Sequence, residues 1–149
     1  MFTNKKVLLV CSPYYKDITQ NLIKGASEVL TSYSVEYKII NVPGALEIAP
    51  SIKFFSEKKT RNNLFDGFVA LGCVIRGETY HFEIVSNESA RALNVLSIKY
   101  SLPIGNGILT VDNKEQAIER SDPLKLNKGA AAALACLSLI NHKNNISYE

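Results

Sequence analysis

Short apolar runs along this chain alternate with longer segments of helical periodicity. Residues 7–10 and 68–71 are continuous apolar runs, which is typical of strands that are buried on both faces. Residues 35–39 instead alternate apolar and charged side chains, which predicts a half-exposed strand at the edge of a sheet. A fourth strand is predicted at residues 104–111, after the helix breaker Pro103.

The segments between these strands predict helices. Apolar residues recur at three- and four-residue steps through residues 17–32, and further helices are predicted at 45–57 and 80–100. Strands that alternate with helices of this length form parallel sheets covered on both faces. We therefore expect an α/β fold, a flavodoxin-like three-layer sandwich with a four-stranded parallel sheet, as a single domain over residues 1–149.

Two more helices are predicted near the carboxyl end of the chain. Asn113 and Gln116 fit a capping box that opens a short helix ending at Arg120. A last helix begins at Asn127, and its small residues should allow close packing while Leu134 and Leu137 face a core.

Composition narrows the class of protein. The 149 residues are 46% hydrophobic and 21% charged, as in an ordinary globular domain, and the net charge of +3 comes from scattered lysines, so nucleic-acid binding is not expected. No apolar run approaches the ~20 residues of a membrane span. Cys11, Cys73 and Cys136 are far apart in apolar surroundings, which favours buried thiols in the cytoplasm over disulfides or a metal site.

Ligands of open parallel sheets bind beyond the carboxyl ends of the strands. After the first strand, Tyr14 could stack on a flat heterocycle or could simply be an exposed turn residue. After the second strand, Pro43 and Gly44 precede Ala45, Leu46 and Glu47, which puts backbone amides at a helix start and a carboxylate able to accept hydrogen bonds from ligand hydroxyls.

The loop after the third strand is more informative. Gly72 and Gly77 flank a segment that leads to Thr79, where helix amides without partners would attract phosphate, although Thr79 could also be a plain helix cap. His81 falls in the first helical turn, where the positive end of the helix dipole favours the neutral imidazole, a form suited to proton transfer. A structural role for His81 is the alternative.

Two cations near the carboxyl end of the chain complete the candidates. The planar guanidinium of Arg120 could clamp a phosphate with two hydrogen bonds, or could pair on the surface with Glu119 or Glu115. Lys128 could add a further positive charge, or could be a solvated lysine. Phosphate binding requires several such donors together.

Four segments in order resemble the lumazine synthase family and cover nearly the whole chain: VPGALEIA (42–49), ALGCVIRGETYHFE (70–83), GILTVDNKEQAIER (107–120) and NKGAAAAL (127–134). The resemblance implies a transferase of riboflavin biosynthesis. Members condense 5-amino-6-(D-ribitylamino)uracil with 3,4-dihydroxy-2-butanone 4-phosphate, releasing phosphate and water without a metal or organic cofactor.

The resemblance also implies a role for each matching position. Tyr14 matches an aromatic that stacks on the pyrimidine, and His81 matches the general acid/base. Asn106 matches a ring-pocket position, often Phe, supplied by a neighbouring subunit. The remaining matches are the ribityl segment Ala45, Leu46 and Glu47, the uracil edge Cys73, Val74 and Ile75, and the phosphate site Glu78, Thr79 and Arg120.

Assembly is implied in the same way. The family's basic unit is a homopentamer with active sites between neighbours. Residues 121–126, SDPLKL, replace a glycine-containing stretch of shell-forming members, and Ala131 stands where some members have Glu. We therefore expect a pentamer or a pair of pentamers, with riboflavin synthase as a possible partner. The alternatives are a non-catalytic lumazine- or flavin-binding protein on the same fold, and a scaffold.

Overall fold

A four-stranded parallel sheet lies at the centre of the molecule in our computed structural model, which describes residues 2–58, 60 and 64–146. The α/β three-layer fold predicted from the sequence is confirmed. The strands are β1 (Lys6–Cys11), β2 (Glu36–Asn41), β3 (Gly67–Ile75) and β4 (Ile104–Val111). The helices are α1 (Lys16–Ser32), α2 (Ile48–Glu57), α3 (His81–Tyr100), α4 (Lys114–Ser121) and α5 (Lys128–Asn144), and a 3₁₀ turn (Ala45–Glu47) precedes α2.

The strand order is β2-β1-β3-β4, so β2 lies at an edge, as its alternating sequence predicts. Val7 pairs with Tyr37 of β2 on one side and with Gly67 of β3 on the other. The sequence predicts a half-exposed strand, but β2 is more exposed than that. Tyr37 and Ile39 lie on the side of the sheet that α1 covers, and they remain 37% and 44% exposed. β4 forms the opposite edge.

Two hydrophobic cores lie on opposite faces of the sheet. Val7 and Leu9 of β1 point towards α1 and α5, whereas Leu8 and Val10 point towards α2 and α3. All four side chains are completely buried. Because successive strand residues face opposite ways, a strand covered on both faces requires a continuous apolar run, which is what residues 7–10 provide.

Helix α5 packs closely on its neighbours through small residues, as predicted. A Cβ added to Gly129 would lie 2.1 Å from the carbonyl oxygen of Leu22 in α1. Leu137 is 3% exposed, but the prediction that Leu134 faces a core is wrong, because this side chain is 46% exposed. The buried stripe of α5 passes through Ala133 and Leu137, and Leu134 lies roughly 100° around the helix from Ala133.

Two local boundaries differ from the sequence prediction. β3 continues past Leu71 to Ile75, because Gly72 to Ile75 pair with the last residues of β4. The second helical segment begins as a 3₁₀ turn, and α2 starts at Ile48 with Pro50 in its first turn, where a proline costs no backbone hydrogen bond.

None of the helices within the described ranges combines the length and the apolar character of a membrane span.

The capping box of α4 forms with one change of partner. Asn113 caps the helix, its side-chain oxygen accepting from the amide of Gln116 at 2.9 Å. The side-chain oxygen of Gln116 in turn accepts from the amide of Asp112 at 2.8 Å, one residue earlier than in the usual box. This start fixes the direction of the helix whose last turn carries Arg120.

Candidate active site

A cavity of about 520 Å³ opens at the carboxyl ends of β1, β2 and β3, where ligands of parallel sheets bind. It contains most of the residues that the sequence indicates. Its lining consists of Ser12, Tyr14, Tyr15, Pro43, Gly44, Ala45, Leu46, Glu47, Cys73, Val74, Ile75, Gly77, Thr79, His81, Phe82 and Val85.

The turn after β1 supplies an aromatic wall. Tyr14 is 75% exposed, and its ring meets Tyr15 edge-on with centroids 5.0 Å apart. Tyr15 packs against the core on the α1 face, and burial raises its pKa. The turn is fixed by the carbonyl of Ser12, which accepts from the Thr19 hydroxyl at 3.0 Å. An exposed ring on a fixed turn can stack on a planar ligand.

The turn after β2 supplies a polar rim. The carbonyl of Gly44 accepts from the amide of Glu47 at 3.2 Å and so closes the 3₁₀ turn. Within this turn Ala45 is buried, whereas Leu46 and Glu47 are exposed. A carboxylate beside exposed backbone groups is suited to hydroxyl groups of a ligand.

The end of β3 forms the floor of the cavity. Cys73 is 7% exposed, and Val74 and Ile75 are half-buried. Burial raises the pKa of the Cys73 thiol to about 11, so the thiol stays neutral near pH 7 and is a poor nucleophile. The sequence placed these three residues in a loop, but their strand conformation leaves the backbone flat beneath the cavity.

The loop from β3 to α3 brings Thr79 and His81 to the cavity mouth. His81 is the first residue of α3, and its amide donates to Thr79 Oγ1 at 3.4 Å. Both side chains are exposed. The N-cap residue of α3 is Tyr80, whose side chain makes no capping hydrogen bond, so the alternative that Thr79 is a plain helix cap is wrong. Thr79 lies one residue before the N-cap, and its position beside the cavity leaves a ligand contact available.

Sequence reasoning missed several lining residues, notably Phe82, Val85 and Tyr15. Val85 lies one helical turn after His81 on the same face of α3, so the spacing of four was the signal that could have found it. Phe82 directly follows His81, and only the tertiary structure shows that its ring reaches the cavity.

Among the described residues, no group of three or more His, Cys, Asp or Glu side chains is arranged to hold a metal ion.

Comparison with known proteins identifies the family of this chain. The family model described as 6,7-dimethyl-8-ribityllumazine synthase matches residues 4–144. The chain belongs to the 6,7-dimethyl-8-ribityllumazine synthase family. The resemblance found in its motifs is therefore confirmed.

Curated relatives support the same family over nearly their full lengths. The chain is 52% identical to the 6,7-dimethyl-8-ribityllumazine synthase of Bartonella tribocorum, over 90% of this chain and 87% of that protein. It is 51% identical to the protein of the same name from Bartonella bacilliformis, over 92% and 89%. A third, from Zymomonas mobilis subsp. mobilis, is 47% identical over 95% of this chain and 99% of its own length.

Four residues that sequence analysis predicts for the site do not line the cavity of the single chain. Arg120 lies on α4, where its guanidinium donates to the carbonyl of Gln116 at 3.3 Å and lies 3.7 Å from Glu119 Oε2. Asn106 is exposed on edge strand β4, and its Oδ1 accepts from the amide of Ile108 at 2.9 Å. The other two, Glu78 and Lys128, are exposed at the starts of α3 and α5.

The cavity of the single chain holds only part of the predicted site. One chain brings together an aromatic wall, a polar rim, a strand floor and a histidine, and among the described residues the lining includes no arginine or lysine. Charge-assisted hydrogen bonds from such cations are the strong contacts by which proteins hold phosphate groups.

Proposed function

We propose that this chain makes 6,7-dimethyl-8-ribityllumazine by condensing 5-amino-6-(D-ribitylamino)uracil with 3,4-dihydroxy-2-butanone 4-phosphate. The observation that carries the proposal is the cavity that unites Tyr14, Glu47, Cys73 and His81 in a chain of this family. Its volume, about 520 Å³, lies within the range of small-molecule sites and suits a bicyclic product with a ribityl chain.

We assign the uracil substrate to the inner part of the cavity. Tyr14 stacks on the pyrimidine, and the backbone at Cys73, Val74 and Ile75 binds its polar edge. The ribityl hydroxyls lie along the 3₁₀ turn at Ala45–Glu47, where the Glu47 carboxylate accepts their hydrogen bonds. The strand floor and the exposed ring of Tyr14 support this assignment, since both line the same cavity.

The ketone phosphate binds at the mouth of the cavity in this proposal. Its phosphate meets Glu78 and Thr79 at the start of α3, where the helix dipole favours an anion. Arg120 and Lys128 supply the neutralising charge, with Arg120 coming from a neighbouring subunit. Both cations lie outside the cavity lining of their own chain, and Arg120 contacts Gln116 and Glu119 on α4.

His81 transfers protons in the mechanism that we propose. The aromatic amine attacks the ketone to form an imine with loss of water. Elimination of phosphate leaves an enol that becomes a second ketone, and the amine that carries the ribityl chain attacks this carbonyl to close the second ring with loss of a second water. Proton transfer by a positioned group is worth roughly 10²–10⁴-fold in rate. Holding two reactants in reactive geometry contributes ~7–11 kcal/mol, so positioning is the larger effect.

We further propose a homo-oligomer, a pentamer or a pair of pentamers, located in the cytoplasm. Large apolar side chains are exposed on the single chain along α3 and around α4, including Ile98 at 83% and Leu124 at 94%. Exposed apolar surface of this kind is typical of protein–protein interaction sites, and here we expect it to be buried against copies of the same chain.

Cys11, Cys73 and Cys136 are free thiols, which is consistent with a reducing compartment. Handover of product to riboflavin synthase is an expectation of the same proposal.

The proposal is tested by mixing the purified protein with both substrates and following the lumazine chromophore and released phosphate. Appearance of both in equal amounts supports the enzyme. A non-catalytic lumazine- or flavin-binding protein would bind the product without releasing phosphate. A scaffold would form the oligomer and do neither. Folded protein that gives no chromophore and no phosphate excludes the enzymatic proposal.

A further inference from the structure

Arg76 joins three elements of the fold, β3, β4 and α3. It is the first residue after β3, and its amide donates to the carbonyl of Val111, the last residue of β4, at 2.9 Å. Its Nε donates to Asp112 Oδ1 at 2.8 Å, and its Nη1 donates to Glu83 Oε1 at 2.5 Å. The side chain therefore ties the ends of both strands to the first turn of α3.

The same guanidinium lies over the ring of Phe82. The Cζ atom of Arg76 is 4.4 Å from the ring centroid, the distance of a cation–π contact. Phe82 lines the cavity directly after His81. Arg76 itself does not line the cavity, so its contact with the site passes through Phe82 and the first turn of the helix.

These contacts act on geometry more than on stability. Exposed ion pairs contribute little each, and the side chain of Arg76 is 48% exposed. A planar guanidinium that binds two carboxylates and stacks on a ring nevertheless defines one orientation for all three groups. A lysine in its place would have three donors on a rotatable ammonium group but no planar fork, so it would not hold the two carboxylates and the ring in one orientation.

We propose that Arg76 is a positioning residue, which holds Phe82 and His81 in the cavity by fixing the first turn of α3 against the ends of β3 and β4. The activity part of its test rests on the proposed function, and the structural part does not. The chain has two histidines, His81 and His142, so the ring signals of His81 report on its surroundings while those of His142, in α5, serve as an internal reference.

The experiment compares R76M and R76K with R91M. Arg91 is a matched control, since it lies on α3 and pairs with Glu88 away from the cavity. In R76M we expect the NMR signals of the His81 ring to shift, those of His142 to stay, and kcat to fall about tenfold or more with little change in KM. R76K should give an intermediate loss, and R91M should match the wild type.

Each outcome decides the matter. Unchanged His81 signals in R76M overturn the proposal whatever the activity does, and so does a loss confined to KM. A wild-type protein without turnover defeats the proposed function alone, because the NMR comparison still tests the position of His81. If R76M does not fold, R76K and Glu83→Gln carry the test, and unchanged His81 signals in both overturn the proposal.

Discussion

Thr79 Oγ1 accepts a hydrogen bond from the backbone amide of His81 at 3.4 Å. This contact joins the hydroxyl of one residue that lines the cavity to the backbone of another. It satisfies one of the amides that a helix start leaves without a partner inside the helix. The effect of this hydrogen bond on stability and a contact of Thr79 with a ligand can therefore be separated by substitution.

Thr79→Val should lower the free energy of unfolding, while Thr79→Ser should retain it. Valine keeps the branched shape but removes the acceptor, and loss of one hydrogen bond typically costs about 0.5–1.5 kcal/mol. The 3.4 Å distance is long, so we expect the lower part of that range. Denaturant unfolding at one protein concentration measures the difference. Equal stability of the two variants would show that this hydrogen bond does not stabilise the start of α3.

His81→Ala should slow turnover without abolishing it. The loss should fall within the roughly 10²–10⁴-fold that a positioned acid or base supplies, because substrate positioning survives the change. His142→Ala is the matched control, since His142 is exposed near the end of α5. Steady-state formation of the lumazine chromophore measures both. Turnover of His81→Ala at the wild-type rate removes the proposed proton-transfer role.

Arg120→Met should raise KM for the ketone phosphate and leave KM for the ribitylaminouracil nearly unchanged. A hydrogen bond to a charged group contributes about 1.5–3 kcal/mol, which corresponds to a loss of affinity of roughly tenfold or more. The second substrate provides the internal control. An unchanged KM for the ketone phosphate would exclude Arg120 from the phosphate site.

A mixed oligomer tests whether Arg120 comes from a neighbouring chain. His81→Ala and Arg120→Met chains, unfolded and refolded together, should regain activity, because about a quarter of randomly mixed head-to-tail interfaces carry both wild-type residues. A chain bearing both substitutions, refolded with itself, is the control and should show no gain in activity over either single variant. Absence of recovery in mixed oligomers would place both residues in the same chain.

Gly105→Ala should destabilise the fold more than Gly77→Ala. A Cβ at residue 105 would lie 1.9 Å from the carbonyl oxygen of Ala132 in α5, whereas a Cβ added to Gly77 would have no described atom within 4 Å beyond its own residue and its chain neighbours. Overpacking of this kind typically costs about 1–3 kcal/mol. Denaturant unfolding measures both variants. Equal stability would mean that α5 can move away from β4 at little cost.

The sequence by itself determined the elements and much of the site. Continuous apolar runs indicated the doubly buried strands, because burial on both faces leaves no place for a polar side chain. The glycine-containing loop before α3 and the motifs shared with lumazine synthases indicated Thr79 and His81. These signals are local, so they could be found without knowing how the chain folds.

Tertiary structure decided what depends on distant partners. Pairing with β4 extended β3 through Cys73 to Ile75, and only packing shows that Phe82 reaches the cavity and that Arg76 binds carboxylates on two different elements. Leu134 was assigned to a core because periodicity alone does not show how wide the covered stripe of a helix is. Contacts between residues far apart in sequence leave no periodic signal in either segment, so these features require the folded chain.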